Sequence, residues 1–89
     1  MGIFQWGIVS LGNLQIVQLL LDAGCGVNGK SIVGWTPLHY ACQLGSTPIV
    51  QALLTHKARR DLKDGQDKLP IDLAKEGNFS EVITLLEKR

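Results

Sequence analysis

An all-α solenoid of helix-turn-helix units joined by loops is the fold class this sequence predicts, and three observations predict it. The chain nearly repeats itself at a shift of 33 residues, apolar residues recur at helical spacing in each copy, and proline stands at matching positions where helices would begin. At that shift GNLQIVQLLLDAGCGVN (12–28) falls on GSTPIVQALLTHKARRD (45–61), pairing Gly12 with Gly45, Ile16 with Ile49, Val17 with Val50, Gln18 with Gln51 and Leu20 with Leu53. The same shift sets TPLHYA (36–41) on LPIDLA (69–74) and IVQALL (49–54) on VITLLE (82–87). The chain therefore reads as nearly three copies of one unit, each made of two short helices and a loop.

Taken in order, the first clear element is the helix carrying Ile16, Val17, Leu19 and Leu20, whose spacing predicts a buried stripe. Gly24 follows it, where a left-handed residue commonly ends a helix. Next, Thr36 reads as an N-cap ahead of Pro37, a residue tolerated in a first turn because its missing N–H has no partner there anyway. Ile49, Val50, Leu53 and Leu54 repeat the stripe in the second copy. Lys57 then occupies the position of Gly24, and a side chain in a left-handed conformation costs about 1 kcal/mol. Pro70 marks the start of a further helix, and the polar EKR closes the chain as the outer face of a terminal unit should.

The period, GWTPLHYA, GNLQIVQLLLDAG and the VN at 27–28 together resemble the ankyrin repeats, and the resemblance covers nearly the whole chain. It divides the chain into repeats at 1–33, with a divergent first helix, 34–66, and 67–89 as the C-terminal cap. In the family His39 of TPLH is the structural histidine, expected to tie the helix start to a neighbouring backbone group. The third repeat has Leu69 for Thr36 and Asp72 for His39, which is expected to remove that tie. In the first repeat IFQW (3–6) replaces TPLH, and Ile8 and Val9 stand where small residues are usual. Residues 1–11 are accordingly expected either to dimerise, through Ile3, Phe4, Trp6, Ile8 and Val9, or to depart from a regular helix.

GCGVNGKS (24–31) matches the phosphate-cradle pattern GxxxxGK(S/T), but such a cradle needs a strand feeding the loop and a helix leaving it. Here a helix precedes Gly24, and GWTP follows Ser31 too closely for another to run from it. At 89 residues there is also no room for the covered parallel sheet of a nucleotide enzyme. A formal charge of +1, from 9 basic and 8 acidic residues, gives no global field toward nucleic acid or anionic membrane. Cys25 and Cys42 are too few for a disulfide framework or a zinc site, and no apolar run approaches a membrane span. The expected setting is intracellular, cytoplasmic or nuclear, with no cofactor, metal or small-molecule substrate.

The resemblance implies a non-catalytic scaffold or adaptor that meets a protein partner through its finger loops and concave face. The positions it leaves free for contact are Lys30, Ile32, Val33 and Trp35 in the first finger, then Gln43 and Leu44 on the following helix. In the second finger they are Lys63, Gln66 and Lys68, then Glu76. Ile32, Val33 and Trp35 form a candidate apolar anchor, and the competing reading is that they pack on their own stack. His56, Lys57, Arg59, Arg60 and Lys63 make a basic cluster that could meet an acidic or phosphorylated peptide, against a solvated loop neutralised by Asp61 and Asp64. Cys42 sits in a small core position beside Ala41, where a thiol is inert. DKLPIDLAKEGNFSEVITLL is also similar to the terminal repeats that accompany the catalytic domain of Arf GTPase-activating proteins. An accessory segment of a larger regulatory enzyme is therefore one alternative, and self-association through the first repeat is another.

Overall fold

The computed structural model describes residues 12–24, 26–29 and 34–87, and these hold five α-helices and no strand. They are α1 (Leu14–Asp22), α2 (Pro37–Leu44), α3 (Thr47–Thr55), α4 (Pro70–Glu76) and α5 (Ser80–Glu87). The expectations for residues 1–11 lie outside the described residues. Helices α2 and α3 pack as one pair and α4 and α5 as the next. The pairs stack so that α2 lies on α4, and α3 lies between α1 and α5.

Local chemistry sets the helix starts. Asn13 caps α1, its side-chain oxygen accepting from the Ile16 N–H at 3.2 Å. Thr36 caps α2 with Pro37 in the first turn, as the sequence predicts. Pro70 likewise opens α4. The turns between elements use the left-handed conformation in a strict register. All seven described residues with positive φ fall on three positions of the 33-residue period. Gly12, Gly45 and Asn78 form one set, Gly24 and Lys57 the second, and Gly34 and Asp67 the third.

Two of these positions show what the conformation costs. Gly24 has φ +83° and open space around a would-be Cβ, so glycine is favoured there by backbone conformation alone. Lys57, at φ 68°, takes the same turn with a side chain. Gly45 carries a second constraint, because a Cβ there would sit 2.6 Å from the Phe79 ring, which fills the angle between the two helix pairs.

The core is a continuous layer between the helices: Val17 and Leu21 of α1, Leu38, Ala41 and Cys42 of α2, Ile49, Val50 and Leu53 of α3, Leu73 and Ala74 of α4, and Val82 and Leu86 of α5. Ile49, Val50 and Leu53 are buried as expected, and Leu54 is half-buried. In α1 the expectation needs correction. Leu19 is 67% exposed and Leu21 is buried in its place. At 100° per residue Leu21 lies on the same side as Val17, while Leu19 is turned about 200° from Val17. Ile16 is only half-buried where its counterpart Ile49 is fully buried, because α3 is flanked on both sides and α1, among the described elements, on one.

Candidate functional site

The segment linking α3 to α4 is built around a carboxylate. Asp64 is buried at 8% exposure, and its Oδ1 accepts the backbone N–H groups of Gln66 (2.7 Å) and Lys68 (2.9 Å). Its Oδ2 accepts the indole N–H of Trp35 at 2.9 Å. These donors hold its carboxyl below the usual carboxylate range, the Lys68 N–H foremost, against the opposing effect of burial. Backbone bonds from the Asp64 N–H to the Lys68 carbonyl (2.9 Å) and from the Asp67 N–H to the Asp64 carbonyl (3.0 Å) close the turn. Gly34 approaches so near that a Cβ on it would lie 2.7 Å from the Gly65 nitrogen, so the two fingers touch through backbone.

His39 fastens this turn to α2. Its Nδ1 accepts the Thr36 N–H at 3.1 Å, and its Nε2–H donates to the Lys68 carbonyl at 2.9 Å. The Thr36 hydroxyl lies 2.9 Å from the same Nδ1 and accepts the His39 N–H at 3.4 Å. One neutral tautomer thus serves both the helix start and the next finger. The expectation that the third repeat loses its tie is half corrected. Leu69 has no oxygen to cap α4, yet the Asp72 carboxylate accepts the Leu69 N–H at 2.9 Å, so the return half of the box survives.

The predicted contact residues divide accordingly. Lys30, Ile32 and Val33 lie outside the described residues. Trp35 is half-buried, bonded to Asp64 and edge-on to Tyr40 with ring centroids 5.1 Å apart. Its indole is engaged within the stack. Lys68 and Glu76 pair with each other at 2.7 Å, and Glu76 raises the Lys68 ammonium above its ordinary value. Gln43, Leu44, Lys63 and Gln66 are exposed, Leu44 to 38%. Gln43 and Leu44 end α2, and Glu76 ends α4, the helix against which α2 packs.

The basic cluster is largely occupied by the fold itself. Arg59 grips Asp61 at 2.9 Å and holds that carboxyl below its usual range. The Arg60 guanidinium donates to the Leu86 carbonyl in the last turn of α5 at 2.9 Å, and the His56 Nε2 stands 3.8 Å from Asp22. Asp61 neutralises the loop as expected. Asp64 does not, because it is turned inward as the turn's acceptor, a role that the Asp-Gly pair at 64–65 hints at only as a turn signal. Cys42 is fully buried, and desolvation pushes its thiol up to about 12, so the thiolate is not available at neutral pH. The nucleotide pattern has a helix before Gly24, and among the described residues the next helix begins at Pro37.

A model of ankyrin repeats, in three copies, matches residues 6–89. The chain belongs to the ankyrin-repeat family. Among its relatives, protein phosphatase 1 regulatory subunit 27 of Homo sapiens is 36% identical over 76 residues, covering 85% of this chain and 49% of that protein. The putative ankyrin repeat protein YahD of Escherichia coli K12 is 42% identical, covering 84% of this chain and 40% of that protein. Ankyrin repeat domain-containing protein 40 of Mus musculus is 30% identical over 88% of this chain and 22% of its own length. The chain thus spans half or less of the relatives it matches. Ankyrin-repeat domains are generally protein-binding modules. Among the described residues no helix is long and apolar enough to cross a membrane, and no group of three or more side chains could hold a metal ion.

Proposed function

We propose that this ankyrin domain is a non-catalytic protein-binding module, and that it meets its partner with the exposed ends of α2 and α4 and the finger that Asp64 closes. The observation that carries the reading is the double fastening of that finger, by Asp64 from within and by His39 from α2. A loop held in advance loses little conformational entropy on binding. Gln43, Leu44, Lys63, Gln66 and the Lys68–Glu76 pair form the contact surface, with Leu44 supplying the apolar centre. Trp35 acts through the finger it braces. The division into repeats at 1–33, 34–66 and 67–89 belongs to the same proposal, supported by the three left-handed registers. The relative named as a phosphatase regulatory subunit makes protein phosphatase 1 a first partner to test.

The test is a quantitative binding assay comparing the native chain with a Gln43→Arg, Leu44→Asp double variant. Gln43 is exposed and Leu44 is 38% exposed, so the double variant is expected to stay folded with a melting temperature a few degrees lower while binding falls at least about tenfold, as for loss of an apolar contact at an interface centre. A folded double variant that binds as tightly as the native chain removes this surface from consideration.

A further inference from the structure

The finger between α1 and α2 holds an Asn28–Gly29 pair whose surroundings suit a covalent change. The Asn28 Oδ1 accepts the Arg59 backbone N–H at 2.8 Å, across the interval between one repeat and the next. That oxygen becomes the oxyanion if the Asn28 side-chain carbonyl is attacked, and a fixed N–H donor aimed at it stabilises the developing charge. The attacking group would be the Gly29 backbone nitrogen. Its N–H makes a long, 3.4 Å bond to the Gly26 carbonyl, and glycine leaves the backbone around it free to turn. Asn28 is half-buried in a turn and so within reach of water.

We propose that Asn28 is a site of spontaneous intramolecular deamidation, and that the reaction remodels the clamp between adjacent repeats. The Gly29 nitrogen gives up its proton to solvent base and bonds to the Asn28 Cγ. The Cγ–Nδ2 bond breaks, and Nδ2 takes up a proton and leaves as ammonia. Water then opens the cyclic imide. Cleavage of the Gly29 N–Cγ bond yields an aspartate, and cleavage of the bond between the Gly29 nitrogen and the main-chain carbonyl carbon yields an isoaspartate. No oxidant or cofactor is involved, since the net change replaces ammonia by water. The aspartate keeps an acceptor for the Arg59 N–H. The isoaspartate runs the main chain through Cγ, lengthening it by one methylene, and withdraws the oxygen that made the bond.

The chain contains two other described asparagines, Asn13 and Asn78, followed by Leu14 and Phe79. Incubation of the intact protein at mildly alkaline pH, followed by peptide mapping that separates aspartate from isoaspartate, is expected to find the amide-to-acid mass change at Asn28 well before the other two. Gly29→Ala provides the control, because a Cβ there meets only the Gly26 carbonyl oxygen at an ordinary 3.6 Å and the variant should fold. Its conversion is expected to slow severalfold. The aged native protein should melt lower in proportion to its isoaspartate content, while Asn28→Asp should melt close to the fresh protein. Conversion at Asn13 or Asn78 as fast as at Asn28, an unchanged rate in Gly29→Ala, or an aged protein that melts like fresh Asn28→Asp would each overturn the proposal.

Discussion

The starts of α2 and α4 occupy equivalent positions 33 residues apart and are held in different ways. At α2 the Thr36 hydroxyl and the His39 ring exchange hydrogen bonds with each other's backbone, and the opposite ring nitrogen reaches the Lys68 carbonyl of the next finger. At α4 the Asp72 carboxylate returns a bond to Leu69, but Leu69 gives none, and among the described residues no bond runs outward from Asp72. An imidazole can accept at one nitrogen and donate at the other, whereas an ionised carboxylate only accepts. The histidine therefore joins repeats, and the aspartate stabilises its own helix.

Breaking each start should expose the difference. His39→Ala removes a fully buried ring, leaves the Thr36 N–H without its side-chain acceptor and the Lys68 carbonyl with the Asp64 N–H as its remaining donor, and opens a cavity. The expected loss is about 3 kcal/mol by urea unfolding. Asp72→Ala removes one local bond at a partly exposed site, with an expected loss of about 1 kcal/mol. Equal losses would show that the bond from His39 to Lys68 adds nothing to the joint between repeats.

Acid attacks the same joint from the other finger. Asp64 has a depressed pKa in the folded chain, so folding favours its ionised form. Its contribution is present in full above the ordinary carboxylate pKa and is lost as pH falls through the lower folded value. Protonation weakens the Asp64 Oδ1 as acceptor for the Gln66 and Lys68 N–H groups, and with them the carbonyl that His39 holds. Trp35 reports the change through its indole bond to Asp64. In a Trp6→Phe background its fluorescence is expected to shift on acidification ahead of helix loss, and Asp64→Asn should flatten that transition. An acid response identical with and without Asp64→Asn would place the sensitivity elsewhere.

Much of this was legible in the sequence, and the gaps have physical reasons. The period, the cap at Thr36 and the first-turn Pro37 follow from residue types at fixed spacing, and the role of His39 follows from the resemblance to ankyrin repeats. The exposure of Leu19 is not legible, because four apolar residues in five positions of α1 leave the buried face to be fixed by tertiary packing. Asp64 reads as a surface counter-charge because its neighbours are charged. Its actual donors are two backbone N–H groups and an indole 29 residues away in sequence, and composition cannot reveal such a pairing. Trp35 reads from the sequence equally as an anchor for a partner or as part of its own stack, and the same distant bond is one that sequence alone does not reveal.

The smallest expected effect runs in the stabilising direction. Leu69→Thr would give α4 the hydroxyl cap that α2 already has, opposite an Asp72 carboxylate already accepting the Leu69 N–H. The backbone is prepared for it, since Leu69 has φ −83° and ψ 157° where Thr36 has φ −84° and ψ 168°. A good cap contributes about 1 kcal/mol, and losing the half-buried leucine side chain offsets part of that, so a net gain of about 0.5 kcal/mol is expected. Combining Leu69→Thr with Asp72→His asks for more, because the imidazole needs an acceptor for its second nitrogen. Residue 72 lies on α4 of the last described pair, and among the described elements α4 packs chiefly on α2 and α5. The double variant should therefore be no more stable than Leu69→Thr by itself. A gain beyond the single variant would show that the histidine's advantage at α2 is local to the helix start, and that the bond to the next finger is incidental to it.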